Sequence, residues 1–326
     1  MKVWNGTAFV DPTAFKVWNG SAFVNPELYT WNGTSFDKVW PTFTPFSISS
    51  EDPGYEDLID EQVPEGASGC WVTLIGGGGS GGTGRRIGAG NNRSGGGGGG
   101  GGAKVSRVWV PKSSMGSTYT VLRGLGGAAV TDLGSSSANG KPGNAGGSSL
   151  FSSGSVQLTA GGGGAGGGGG SSSGSAGSGG TASAIGVSAT VANGSAGGAG
   201  DYNAAGGAGV NNTSGGAAGG GGGGGGDGST TYNGGRGGNV SSDNGGAGGT
   251  TSAYPRSGPD QAAGQPGPGG GGDRISAPRP PGSDDYAAGD GGLYGGGGGG
   301  GRSFLSSANA WRSGKGGDGY VLIEWE

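Results

Sequence analysis

The chain has 326 residues, 95 of them glycine and 15 proline, and with only 30% hydrophobic and 12% charged residues it holds little material for a conventional core. A net charge of −4 draws it neither to nucleic acid nor to an anionic membrane. One cysteine and no histidine exclude an intrachain disulfide, a Cys/His zinc site and a histidine-based nucleophile.

No basic-then-apolar leader opens the sequence, and no apolar run approaches the roughly 18–20 residues of a spanning helix. The expectation is a soluble product of cytoplasmic synthesis without membrane insertion. Residues 1–46 read as a docking module built on a repeat. Val3–Phe15 is VWNGTAFVDPTAF, Val17–Tyr29 is VWNGSAFVNPELY and Thr30–Phe36 is TWNGTSF. Trp4, Trp18 and Trp31 lie 14 and 13 residues apart, each followed by Asn-Gly and then by Phe9, Phe23 or Phe36. Asn-Gly between apolar flanks signals a hairpin, because a type I′ turn needs two positive φ angles. Three such units predict a small β-meander with a Trp/Phe core. A short aromatic repeat needs a partner to bury it. Those six side chains are therefore the docking candidates, with a sugar-binding aromatic face as the alternative. The sequons at Asn5, Asn19 and Asn32 read as turn chemistry.

Glu51–Glu65 carries seven acids and no base, a local solvated face in which Leu58–Val63 alternates enough for an edge strand. Residues 47–159 read as a β-scaffold that includes the first glycine run. Cys70–Ile75 is apolar on both alternating faces and predicts a strand covered on both sides. Lys104–Val110, closed by Pro111, then Ser117–Leu122, then the pair Ser148–Phe151 and Ser155–Thr159 follow as short strands. With Tyr320–Glu326 as the last one, six or seven strands indicate a small sandwich or a jelly-roll-like domain.

Residues 160–319 form an excursion closed at its base by residues 320–326. Gly95–Gly102 and Gly219–Gly226 are unbroken runs of eight, and Gly295–Gly301 is a run of seven. Such runs bury no side chain, so only main-chain hydrogen bonds between neighbouring segments can order them. The conformation that permits this is the extended threefold helix, in which a run of this length spans roughly 22–25 Å. Equal rods side by side predict a polyglycine II bundle with the polar interruptions gathered at its ends. The competing reading is a disordered linker, against which stand the apolar strings at both ends. The fold class is thus all-β with polyglycine II: hairpin repeats, a small β-sandwich or jelly-roll-like scaffold, and a glycine-rich threefold-helix bundle closed by the C-terminal strand.

Several motifs fail. GxGxxG is satisfied by any glycine run, and no βαβ pattern surrounds it. Lys141 is followed by Pro142 and Lys315 by Gly316, so neither Gly-Lys pair completes a Walker A motif. Arg236-Gly237-Gly238 is the single triplet of the RNA-binding kind, in an acidic chain. Strict Gly-X-Y spacing is not kept, which rejects collagen. Asp284 and Asp285 are adjacent and would diverge on a strand, unlike a glycosidase pair. No catalytic residue, metal site or cofactor is expected.

The strings VPEGASGCWVTLIGGGGSGG (63–82), GGGGAKVSRVWVP (99–111), GSTYTVLRGLGGAA (116–129), GSVQLTAGGGG (154–164) and GGDGYVLIEWE (316–326), with the opening KVWNGTAFVDPTAFKVWNGSAFV, resemble the glycine-rich minor tail proteins of actinobacteriophages, especially mycobacteriophages. Tyr254–Pro281 departs from that pattern by interrupting the tract. The resemblance implies a structural protein of the virion at the tail tip, made in the host cytoplasm, with other phage tail-tip proteins as partners. It also implies adhesin-like loops that touch the host surface. Tyr202, Tyr232, Tyr254, Tyr286 and Tyr294 are the candidates to bind a host cell-envelope glycan, since tyrosine rings stack on sugar faces. Capping of the bundle ends is their alternative role. A purely architectural component and a glycan-degrading tail enzyme remain the rival functions. Tail symmetry allows a homotrimer, for which the sequence offers no coiled coil.

Overall fold

The computed structural model describes residues 3–4, 6–10, 17–24, 28–40, 43–88, 91–132, 137–226, 230, 232–241, 243–250, 253–274, 287–303 and 311–326. Each Trp-Asn-Gly repeat closes a hairpin. β1 (Val3–Trp4) pairs with β2 (Phe9–Val10), β3 (Val17–Trp18) with β4 (Phe23–Val24), and β5 (Leu28–Trp31) with β6 (Phe36–Trp40). The Asn19 side-chain oxygen accepts N–H bonds from Ser21 and Ala22 at 2.9 Å, and that of Asn32 accepts from Thr34 and Ser35 at 2.8 Å. Positive φ falls on Gly6, Gly20 and Gly33 and not on the described asparagines before them. The expected type I′ turn is therefore replaced by a longer loop that asparagine organises through its side chain.

The expected three-unit meander is not formed either, because each hairpin is its own two-stranded sheet. Trp18, Trp31 and Phe36 are 55%, 56% and 69% exposed, and the Trp31 and Phe36 rings meet each other across their hairpin at 5.1 Å. Two-strand ribbons of this size have too little area to bury their own aromatics.

The scaffold strands are β7 (Phe46–Ser49), β8 (Leu58–Gln62), β9 (Gly69–Ile75), β10 (Lys104–Pro111) and β11 (Thr118–Leu122). A short β12 (Thr131–Asp132) precedes β13 (Ser149–Ser153), β14 (Val156–Ala160), β15 (Ala182–Ile185) and β16 (Val191–Ala192). β17 (Trp311–Arg312) pairs with β12, and β18 (Tyr320–Trp325) ends the chain's strands. One antiparallel sheet has the order β16–β10–β9–β18–β7, and the other β15–β14–β13–β11–β8.

Alternation explains how they pack. Cys70, Val72 and Leu74 of β9 stand level with Val105, Val108 and Val110 of β10 and with Val321, Ile323 and Trp325 of β18. This apolar face meets Tyr119, Val121, Phe151, Val156 and Leu158 of the second sheet in one core. Trp325 bridges the layers, its indole edge-on to Tyr119 at 5.0 Å. The closing strand thus sits between β9 and β7, and both faces of β9 are largely covered, as its composition predicts.

Strands β7, β15 and β16 were not legible from alternation. β15 and β16 lie inside the excursion, so the glycine tract returns once to the sandwich, through Ala182–Ala192, before leaving again. They are short and rich in small residues, and they form because the edges of β14 and β10 offer unpaired main-chain groups.

Beyond the sheets the chain runs back and forth in extended segments. Segments leave β9, β11, β14 and β16 and return to β10, β13, β15 and β18. One end of the array is therefore the sandwich and the other is a set of loops. In the segment after β9, the donors cycle with period three. Gly76, Gly79 and Gly82 donate to Ala103, Gly100 and Gly97; Gly77, Ser80 and Thr83 to Gly147, Asn144 and Lys141; Gly78 and Gly81 to Gly317 and Gly314. The N···O distances are 2.8–3.1 Å. Its carbonyls accept from three further segments, at Gly163, Gly298 and Gly127 among others. Throughout Gly95–Ala103 every N–H donates and every C=O accepts.

This contact between backbones leaves no space for side chains. A Cβ on Gly78, Gly97, Gly99 or Gly221 would run into the carbonyl of Gly296, Ser175, Gly79 or Gly235. Ser80 and Thr83 are the instructive exceptions. Their hydroxyls accept the N–H groups of Asn144 and Lys141 at 2.8 Å, while their own N–H groups donate back to the carbonyls of the same two residues. Replacing Gly99 by alanine is expected to cost about 3 kcal/mol of unfolding free energy. At Gly170 an added Cβ has its nearest neighbour at 3.8 Å, so Gly170→Ala should cost less than about 0.5 kcal/mol. Urea unfolding of the two variants measures the difference.

Candidate functional site

The polar interruptions fall at both ends of the array: the turns at Asn212, Ser241 and Gly264 lie beside Lys104 at the sandwich end, and the buried ion pairs lie at the opposite, loop end. Arg86 and Asp132 lie 3.5 Å apart with side chains about 5% exposed, and Lys141 approaches the same carboxylate at 4.0 Å. Asp273 and Arg302 form a second buried pair at 3.6 Å. The Arg302 guanidinium stacks 3.7 Å over the Trp311 ring and donates to the Arg274 carbonyl at 2.9 Å. The Asp273 carboxylate accepts the Arg274 N–H at 2.7 Å. Arg93 exchanges reciprocal main-chain bonds with Gly226, both 2.9 Å. Glycine rods end here without side chains of their own, so these long side chains and Trp311 seal the last turn of the array.

Around this seal stand three of the predicted tyrosines. Tyr202 is half-buried, and its hydroxyl accepts a bond from the Asn92 amide at 2.5 Å. Tyr232 is half-buried and donates its N–H to the Gly225 carbonyl, beside the main chain of Tyr202. Tyr254 is 56% exposed. Tyr286 lies outside the described residues. The arrangement offers one open ring face, two partly covered phenols, and amide and carboxylate groups such as Asn203 and Asp201 beside them.

Tyr294 belongs elsewhere. It is 4% exposed, and its ring meets Tyr320 at 5.0 Å and packs with Ile75 at the sandwich end. A ring enclosed there presents no face to a sugar, so Tyr294 drops out of the receptor set. Sequence reasoning placed it with the others because a lone tyrosine between glycine runs looks alike at either end of a rod. Of the docking candidates, the backbones of Trp4, Phe9 and Phe23 lie in the hairpin strands, while their side chains are outside the described residues. Trp18, Trp31 and Phe36 are exposed, as noted above.

A family model for a glycine-rich domain matches residues 59–326. The chain belongs to that family. No curated protein matches it. The glycine-rich domain begins within β8 and runs to the last residue, so it takes in nine of the ten sandwich strands completely or in part and the whole rod array, and omits β7 and the hairpins. Among the described residues no group of three or more Cys, Asp or Glu side chains is placed to hold a metal ion.

Two outcomes follow from the buried groups. Asp273→Ala leaves the Arg302 charge enclosed without its carboxylate, at a cost of about 3–5 kcal/mol. Unfolding together with faster amide exchange at Gly224, which donates to the Asp273 carbonyl, reads it out. Burial, and then the neighbouring Glu51 carboxylate, raises the Tyr294 phenol from 10.0 to about 12. The fold favours the neutral phenol, so this contribution is complete below pH 10 and is lost as pH climbs through 12. In a spectrophotometric phenol titration, Tyr294→Phe should halve the step near pH 12, because burial also raises the Tyr55 phenol to about 12.

Proposed function

We propose that this protein is a structural component of a phage tail tip, in which a rigid glycine-rich bundle holds recognition loops away from the virion. In this reading each rod is a left-handed threefold helix, and the array is a polyglycine II bundle. The period-three cycle of donors supports it, since a threefold helix turns successive N–H groups by about 120° toward three different neighbours. The loops carrying Tyr202, Tyr232 and Tyr254 take a host cell-envelope glycan, and the Trp-Asn-Gly hairpins take other tail-tip proteins. The protein is placed in the virion after synthesis in the host cytoplasm, with a homotrimer as the form that tail symmetry allows. It contributes structure and recognition, and no catalysis.

One observation carries the proposal: Tyr202, Tyr232 and Tyr254 stand with the buried ion pairs at the end of the rods opposite the sandwich, while the turns at Asn212, Ser241 and Gly264 lie at the sandwich end. The chain also enters β7 at the end of the sandwich opposite the rods, because Phe46 pairs with Trp325 at the far end of β18. Docking repeats and recognition loops are thereby fed from opposite ends. The half-burial of Tyr202 and Tyr232 favours the architectural reading, in which these rings only cap the bundle. Fluorescently labelled full-length protein should bind actinobacterial cells, and Tyr254→Ala combined with Tyr202→Ala should weaken that binding at least tenfold. Unchanged binding in the double variant would remove recognition from these two tyrosines, and no binding by the parent protein would leave the architectural role standing alone.

A further inference from the structure

A cleft with paired indoles lies on the sandwich itself. Trp71 of β9 and Trp109 of β10 are directly opposed in register on the outer face of the first sheet, with ring centroids 5.3 Å apart and planes inclined by 54°. A β-bulge between Val105 and Val108 brings Arg107 onto the same face. Its guanidinium lies 4.1 Å over the Trp71 ring and is held by Glu324 of β18, with Nε donating at 2.7 Å and Nη2 at 3.4 Å. The Trp109 indole rests over Gly69, where any side chain would displace it. Ser188, Ala189 and Thr190 form the opposite wall of a cleft of about 400 Å³.

The chemistry of this cleft selects among ligand classes. Arg107 is neutralised by Glu324, so the site has no net charge with which to attract a phosphate or a carboxylate. It lies on the face of the sheet, and the Thr190 carbonyl beside it already accepts the Ser106 N–H at 2.9 Å, so it offers a peptide no ladder to extend. What it does offer is a flat indole for the C–H face of a ring, beside a planar guanidinium with three of its five N–H donors unused by Glu324. The Glu324 oxygens retain acceptor capacity, and Ser188 and Thr190 supply hydroxyls. Neutral, polyhydroxylated rings match that set, and the volume suits one or two of them.

We infer that the Trp71–Trp109–Arg107–Glu324 cleft is a saccharide-binding site for neutral sugars, separate from the tyrosines at the loop end. Trp109 is the stacking platform, Arg107 and Glu324 bind adjacent hydroxyls, and Trp71 fixes the guanidinium. The test is tryptophan fluorescence and ligand-observed saturation-transfer NMR on the full chain with maltotetraose, mannotetraose and chitotetraose. At least one should bind in the millimolar range or tighter. Trp109→Ala should weaken it at least tenfold, and Arg107→Lys, which keeps charge but loses the planar fork, by several fold. Tyr202→Ala and Tyr254→Ala should leave it unchanged, which separates this site from the loop-end proposal. If Trp109→Ala loses its core amide protection, Arg107→Lys alone decides. Three results would overturn the inference: no binding of any of the three sugars, equal binding by folded variants, or a self-association of the parent that Trp109→Ala abolishes.

Discussion

Everything in this protein depends on main-chain hydrogen bonds between segments that have no side chains to pack. Ordering a residue costs roughly 1–2 kcal/mol of backbone entropy, with glycine at the high end. A hydrogen bond returns about 0.5–1.5 kcal/mol net. The two nearly cancel, so such an array holds only if its interior is completely paired, because a single buried amide without a partner costs about 1–3 kcal/mol. Gly95–Ala103 meets that condition at every residue. Its six surrounding segments come from parts of the chain as distant as Gly76 and Gly301.

Complete pairing explains the glycine content. A backbone with neighbours on every side has no direction in which a Cβ can point, which is why the forbidden contacts are with carbonyl groups and not with movable side chains. It also explains the sandwich. Strands β9, β10, β13, β14 and β18 deliver segments into the array already side by side, with their ends fixed by an ordinary apolar core of Val72, Leu74, Phe151, Leu158, Ile323 and Trp325. Neither half would be secure alone: the core is small, and the rods have no means of choosing register without it.

A scaffold of this kind separates positions along its length. Apolar anchoring, with Tyr294 and Tyr320, lies at one end of the rods, and buried ion pairs with Trp311, Tyr202, Tyr232 and Tyr254 lie at the other. Side chains stripped from the interior are concentrated where the rods turn. The outer face of the sandwich, with its paired indoles and the Arg107–Glu324 pair, is another place where large polar and aromatic groups stand together.

Much of this was written in the sequence. Alternation located β8, β9, β10, β11, β13, β14 and β18, and the equal glycine runs between apolar strings announced an ordered array. The repeat located the hairpins, although the asparagine side chains, and not positive φ at asparagine, shape the turns. What only the tertiary structure decided was which end and which neighbour: that Tyr294 is enclosed beneath Tyr320 while Tyr254 is open, that Ala182–Ala192 rejoins the sheets, and that Trp71, Trp109, Arg107 and Glu324 share one cleft. The reason is that a glycine segment carries no pattern by which to recognise its partners. Its register is imposed by strands and turns far away in the chain.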